Sequence, residues 1–231
     1  MFKKIFERRK TDIAKQRSQS FFDNYFTNNK IRKLQIGAGE KNLLEGWLNT
    51  DLLCKNDNVG YLDVGEKFPF KKDTFDFIYS EHIFEHLTFA QATNMLSECF
   101  RTLKSGGVIR MATPNLNFLI NLYQYPELPL HKEYINWATK SFTKDIAKKL
   151  SVDEYTPVFV MNNFFRDWGH QIIHNPESIT LLFKKAGFKN IIPCKLSLSL
   201  NSELCNLERH GDGIPPAFNE METMVFEAIK L

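Results

Sequence analysis

The chain has 231 residues, 43% of them hydrophobic and 25% charged, with a net charge of +3 and four cysteines. That length suits one domain with decoration, or at most two small domains, and no window approaches the roughly 18 uninterrupted apolar residues of a membrane span. The opening MFKKIFERRK lacks the apolar stretch of a secretory leader, and Cys54, Cys99, Cys194 and Cys205 show no Cys-x-x-Cys spacing, which excludes a zinc ribbon or disulfide framework and favours a reducing, cytoplasmic setting.

Charge is unevenly placed: residues 1–33 hold ten Lys/Arg against three Asp/Glu. A basic segment can touch acidic lipid or nucleic acid. Here no aromatic-basic interleaving supports a nucleic-acid surface, so neither a nucleic-acid partner nor stable membrane insertion is expected. Residues 1–30 read instead as a helical arm packed on the domain through Phe2, Ile5, Phe6 and Ile13, with Phe21, Phe22, Tyr25 and Phe26 as its apolar end.

Strands are expected at Lys33–Ile36, Trp47–Thr50, Tyr61–Val64 and Phe75–Ser80, the last apolar on both faces as a central parallel strand is. Helical spacing over Phe89–Leu103 (Ala92, Met95, Leu96, Cys99, Phe100) runs up to Ser105-Gly106-Gly107, read as its stop. Val108–Ala112 is the fifth strand. Pro176 in a first turn, a stripe of Ile179, Leu182, Phe183 and Ala186, and Gly187 at the end predict a helix over 176–187. Ile191–Leu200 and Thr223–Ile229 complete the strands, with a long loop, 201–220, between them.

Strands alternating with helices predict an α/β fold with a mostly parallel seven-stranded sheet and an antiparallel last strand. The first half is helix-poor: Glu40–Gly46 and Leu52–Gly60 are too short for standard crossovers. The uncovered face is expected to be closed by the N-terminal helices or by a second copy in a homodimer. Residues 115–175 form an aromatic-rich insertion, expected to be helical and to act as a lid or acceptor pocket at the carboxyl edge of the sheet.

Four patches fall in order at the strand tips: Gln35-Ile36-Gly37-Ala38-Gly39, Asn49-Thr50-Asp51-Leu52, Leu62-Asp63-Val64, and Ser80-Glu81-His82-Ile83-Phe84-Glu85-His86-Leu87. A glycine turn lets backbone approach a ligand closely, and a carboxylate at the next strand tip suits a ribose diol. With Phe68-Pro69-Phe70 and Phe75-Asp76 downstream, the series resembles class I S-adenosylmethionine-dependent methyltransferases. It looks most like a bacterial branch with a GAG…GWLNxD pattern, of the methyltransferase type 11 kind, often linked to sugar or surface-polysaccharide biosynthesis.

The resemblance implies a Rossmann-like methyltransferase fold over residues 31–231, S-adenosyl-L-methionine as cofactor, and a small-molecule acceptor such as a sugar or nucleotide-sugar hydroxyl. Gly37, Ala38 and Gly39 would then pass beneath the methionine part of the cofactor. Asp51 would hold the ribose, Leu52 would pack on the adenine, and Asp63 and Val64 would border the adenine edge. Ser80 and Glu81 would flank the reacting methyl. The sequence departs from the pattern at Gln35, where an acidic residue is common, at Lys41 in place of a third glycine, and in the truncated helix after the glycine turn.

A hydroxyl acceptor calls for a general base, and histidine is the natural one. His170 and His210 are the candidates, while His131 and His174 read as structural. His82-Ile83-Phe84-Glu85-His86 also fits the His-x-x-Glu-His spacing of a zinc hydrolase, but the methyltransferase pattern accounts for Glu85-His86-Leu87, so no metal is expected. The rival readings are a non-catalytic cofactor-binding module and another nucleotide-dependent Rossmann enzyme, such as a dehydrogenase, whose GxGxxG is incomplete here.

Overall fold

A computed structural model describes residues 2–54 and 56–231, with residues 2–11 described at the level of backbone only. The packing expected of Phe2, Ile5 and Phe6 lies outside the described residues. The strands are β1 (Lys33–Ile36), β2 (Leu48–Asp51), β3 (Gly60–Tyr61), β4 (Phe75–Glu81), β5 (Leu103–Pro114), β6 (Lys189–Cys194) and β7 (Thr223–Ile229). The helices are α1 (Phe2–Asn28), α2 (Phe89–Thr102), α3 (Leu116–Gln124), α4 (Pro129–Phe142), α5 (Lys144–Leu150), α6 (Pro157–Arg166), α7 (Pro176–Ala186) and α8 (Pro216–Glu222). Among the described residues no helix is long and apolar enough to cross a membrane.

The strands join one sheet in the order β3-β2-β1-β4-β5-β7-β6. β7 runs antiparallel between β5 and β6, and the other pairs are parallel. This is the Rossmann-like order of methyltransferases, with the strand order reversing between β1 and β4. Right-handed crossovers send connections on the two sides of that reversal to opposite faces. α2 and α7 therefore share one face, over Leu34, Leu48, Ile78, Ile109 and Ala228, which lie in register across the sheet.

α1 lies on this same face rather than on the helix-poor one. Its Phe22 and Tyr25 are buried in the main core, Phe22 meets Phe70 edge-on, and Tyr25 Oη donates to the Lys33 carbonyl at 2.9 Å. Ile13, expected to pack, is exposed.

The opposite face, where helices after β1 and β2 would sit, carries Gln35, Asn49, Tyr79, Arg110 and Glu227 in register. α1 does not cover it. The connection after β6 does, bringing Leu204 and Leu207 against Leu44, Trp47, Tyr79 and Val108. Its anchor is Arg110, fully buried, which donates to Glu208 at 2.6 Å, to Glu227 at 2.7 Å, and to the carbonyls of Leu198 (2.9 Å) and Lys195 (3.0 Å). Those carbonyl contacts pull the chain off the sheet, which is why β6 ends at Cys194 and not at Leu200.

Two other boundaries differ from expectation. Ser105-Gly106-Gly107 does not stop α2. The helix passes directly into β5 at Leu103, and the glycines lie within the strand, Gly106 at φ +79° donating to the Lys230 carbonyl. Tyr61–Val64 shrinks to a two-residue pairing because only Thr50 and Asp51 are available on β2. The 176–187 segment forms as read, with an Asn175–Ser178 capping box, Pro176 in the first turn and left-handed Gly187.

Residues 115–175 hold α3 to α6, whose Phe118, Leu122, Tyr134, Ile135, Val160 and Phe164 make a second core with Phe218 of α8. α8 was not foreseen, its span having been read as loop. The buried Tyr134 hydroxyl donates to Glu222 and ties the inserted helices to the start of β7.

Replacing Arg110 with methionine would leave Glu208 and Glu227 buried without their cation. Urea denaturation of Arg110→Met is expected to show a loss of about 3–5 kcal/mol. A loss below about 1 kcal/mol would mean that the clasp does not hold this face.

Candidate active site

The glycine turn is formed by Gly37 (φ +77°) and Gly39 (φ +59°). The Gly37 and Ala38 amides both donate to the Thr50 carbonyl, at 2.8 and 3.0 Å, which folds the turn against the tip of β2. A Cβ added at Gly37 would run into Ile83, whereas one at Gly39 would meet open space. Asp51 stands beside it, one carboxylate oxygen accepting from the Gly39 amide at 2.9 Å and the other from Leu53 at 2.8 Å. Each oxygen keeps a further lone pair for a ribose hydroxyl. Leu52 and Leu53 are exposed next to it.

Asp63 accepts from the Gly65 amide at 2.8 Å, and the Val64 carbonyl accepts from Asn94 of α2, so this tip is braced on α2. Ser80 is fully buried and its hydroxyl has no partner. Gln35 is buried on the helix-poor face, donating to the Asn42 carbonyl at 2.9 Å, and so does not face the glycine turn's ligand side. The open turn, the paired carboxylate oxygens and the exposed leucines fit an adenosyl group with its ribose over Asp51.

Glu81, expected to border the cofactor, also has partners within the protein. Its carboxylate accepts from the backbone amides of Arg209 (3.0 Å) and His210 (2.9 Å). Burial pushes its carboxyl up from the usual range, against the pull of those two amides. Glu81 therefore clamps the far loop to the tip of β4.

The clamp carries His210 onto His82. The two rings stack at 3.6 Å with a 22° tilt. His82 leaves β4 in a left-handed conformation (φ +49°), and its Nδ1 is 3.0 Å from buried Glu85. Burial opposes charge on His82, but the Glu85 carboxylate outweighs it and raises its pKa, while the same contact holds Glu85 low. His210 is pushed down to about 4 by burial and by the charge on His82.

Three residues on, the turn Phe84–His86 points His86 at His170, with ring centroids 4.8 Å apart. His170 Nδ1 is 2.6 Å from the Phe164 carbonyl, so that nitrogen carries the proton and Nε2 offers a lone pair. Burial lowers its pKa. The two histidines of the His-x-x-Glu-His spacing thus diverge, His82 to His210 and His86 to His170. His174 packs on Phe84 and His131 meets the Tyr125 carbonyl, both away from these pairs.

Both pairs line a cavity of about 580 Å³ with Glu85, Trp137, Ser141, Phe142, Trp168, Asp212 and Glu222. The structure brings His170 and His210 together there, next to the β4 tip that carries Ser80 and Glu81. The aromatic insertion supplies Trp137, Phe142 and Trp168 to this cavity, while sequence reasoning missed the share of His82, Glu85 and His86. The signal was the His-x-x-Glu-His spacing, set aside because its hydrolase reading was rejected.

A family model for the methyltransferase domain matches residues 53–111, from the exit of β2 into β5. No curated protein matches the sequence. Among solved structures, the chain is similar to an S-adenosylmethionine-dependent methyltransferase from Archaeoglobus fulgidus (18% identity, 95% of this chain and 94% of that one, TM-score 0.48). It is similar also to a putative methyltransferase from Bacillus halodurans (14%, 91% and 99%, TM-score 0.47). A third is phosphoethanolamine N-methyltransferase 2 from Haemonchus contortus in complex with S-adenosyl-L-methionine (16%, 87% and 49%, TM-score 0.46), of which the chain spans about half the length. The strand order, the glycine turn and the match over residues 53–111 are those of a Rossmann-like methyltransferase domain.

Gly37→Ala meets both a left-handed backbone and the Ile83 side chain. It is expected to weaken S-adenosylhomocysteine binding at least tenfold by calorimetry, about 1.4 kcal/mol. Unchanged affinity would mean that the turn does not approach the cofactor.

Proposed function

We propose that the chain methylates a hydroxyl of a small-molecule acceptor, a sugar or nucleotide-sugar, bound in the cavity between the β4 tip and the inserted helices. The observation that carries this reading is the cavity itself. Aromatic walls from Trp137, Phe142 and Trp168 meet polar groups and two imidazole pairs beside the tip expected to border the reacting methyl. Flat aromatic faces with few placed polar groups suit a compact, hydroxylated ligand.

When bound, S-adenosylmethionine supplies an electrophilic methyl group for in-line displacement. The chain's share is alignment and water exclusion. Gly37, Ala38 and Gly39 give the cofactor its close backbone approach, Asp51 its ribose contact, and Leu52, Asp63 and Val64 its adenine surroundings. Ser80 and Glu81 flank the methyl. The acceptor's proton passes to an imidazole of the cavity, His170 or His210, both of which burial keeps neutral and therefore able to accept it. The inserted residues 115–175 serve as the acceptor lid.

Calorimetry tests the reading directly: S-adenosylhomocysteine should bind and NAD should not. Binding of NAD alone would favour a dehydrogenase. Asp51→Ala should weaken S-adenosylhomocysteine by about 1–3 kcal/mol through loss of charge-assisted hydrogen bonds, and an unchanged affinity would displace the ribose from Asp51.

His210→Ala should slow turnover of a hydroxylated acceptor by about 10²–10⁴ while leaving cofactor affinity intact. Parallel loss of cofactor binding would instead put His210 in the cofactor site.

A further inference from the structure

We propose that Glu85, His86 and His170 form a binding site for one divalent transition-metal ion in the wall of the acceptor cavity. One ligand atom from each lies within 4.8 Å of the others. Around a tetrahedral zinc with bonds of about 2.0–2.1 Å, such atoms stand about 3.3 Å apart. Small side-chain rotations into the cavity close the difference.

Each ligand is already oriented. His170 has its Nδ1 proton directed at the Phe164 carbonyl, 2.6 Å away, which leaves Nε2 as the donor atom. That is the arrangement in which a metal-binding histidine is held by an outer hydrogen bond. Glu85 is fixed from behind by His82 at 3.0 Å and by the Thr113 hydroxyl at 3.1 Å, one on each oxygen, and each oxygen retains a lone pair. His86 follows Glu85 directly, and the turn Phe84–His86 sets its ring 4.8 Å from that of His170. The buried surroundings also favour a cation, since Glu85, Asp212 and Glu222 line the cavity with no lysine or arginine.

Two imidazoles and one carboxylate select a borderline ion such as zinc, cobalt, nickel or iron over magnesium or calcium, which prefer all-oxygen sites. Three protein ligands leave further coordination positions open to the cavity, as in catalytic rather than structural sites. This ion would orient the acceptor hydroxyl, leaving His210 as the neutral imidazole nearby. That use rests on the methyl-transfer reading; the ion site itself does not.

The test uses the full, untagged chain, stripped with chelator and desalted. Co²⁺ is followed by its visible absorption and Zn²⁺ by calorimetry, with S-adenosylhomocysteine titrated in parallel. One equivalent of each ion is expected to bind. His86→Ala and His170→Ala should weaken it at least tenfold, Glu85→Gln should also weaken it, and His131→Ala should leave it unchanged. Retained S-adenosylhomocysteine binding shows that each variant is folded, and Glu85→Gln keeps the shape of the site if either alanine variant unfolds. Absence of saturable binding in the unaltered chain, or equal binding by it and the folded ligand variants, overturns the proposal. Metal binding without S-adenosylhomocysteine binding would overturn the methyl-transfer reading and leave the ion site standing.

Discussion

The buried guanidinium of Arg110 is the contact on which the rest of this molecule depends. A charge taken out of water is expensive unless its hydrogen bonds are met. Here two carboxylates and two backbone carbonyls meet them, and despite burial Glu208 and Glu227 hold the guanidinium more firmly charged than usual. Arginine suits this because its planar fork can serve several acceptors at once. Two of the acceptors lie at Lys195 and Leu198 and one at Glu208, so a single side chain in mid-sheet fixes both ends of a loop. The Ser197 amide, which also donates to Glu208 at 2.8 Å, closes the loop on itself.

From that clasp the site is assembled in two short steps. Glu208 is followed by Arg209 and His210, whose amides meet Glu81 at the tip of β4. His210 then lies flat on His82. The face left bare by the missing helices is therefore where the cavity gets one of its walls. In a fold with full-length helices after β1 and β2, that surface would be occupied and the β6-to-β7 connection would have no sheet to lie on. Trimming the helices and recruiting the loop are two sides of one arrangement.

Much of the frame was legible because it is local. β1 and β7 have the boundaries read from their apolar runs, and α7 shows its cap, proline and glycine within thirteen residues. Gly37, Ala38, Gly39 and Asp51 were likewise readable, since the turn and the next strand tip lie twelve residues apart. What was illegible is long-range. Arg110 and Glu208 are 98 positions apart, and Glu81 and His210 are 129 apart. Nothing in the spacing of either pair announces a contact. The face chosen by α1 was hidden for a different reason. Its Phe22 and Tyr25 could cap any apolar surface, and since α1 precedes β1 no crossover handedness chooses for it; the close approach of Phe22 to Gly60 fits it to this one.

The segment from His82 to His86 shows how one short motif can serve two directions at once. The left-handed turn at His82 aims its ring back toward the loop that Arg110 holds, and the following tight turn aims His86 at the inserted helices. Glu85 sits between, buried and charged, bonded to His82 on one oxygen and to Thr113 on the other. A buried carboxylate in such a place must be compensated. His82, whose pKa that contact raises, is the partner placed to do so, while Asp212 and Glu222 add further carboxyl groups to the same cavity. The cavity lining therefore holds carboxyl groups and imidazoles but no lysine or arginine. For the proposed acceptor, that environment suits a sugar bearing the reacting hydroxyl, and the diphosphate of a nucleotide-sugar would have to lie outside this cavity.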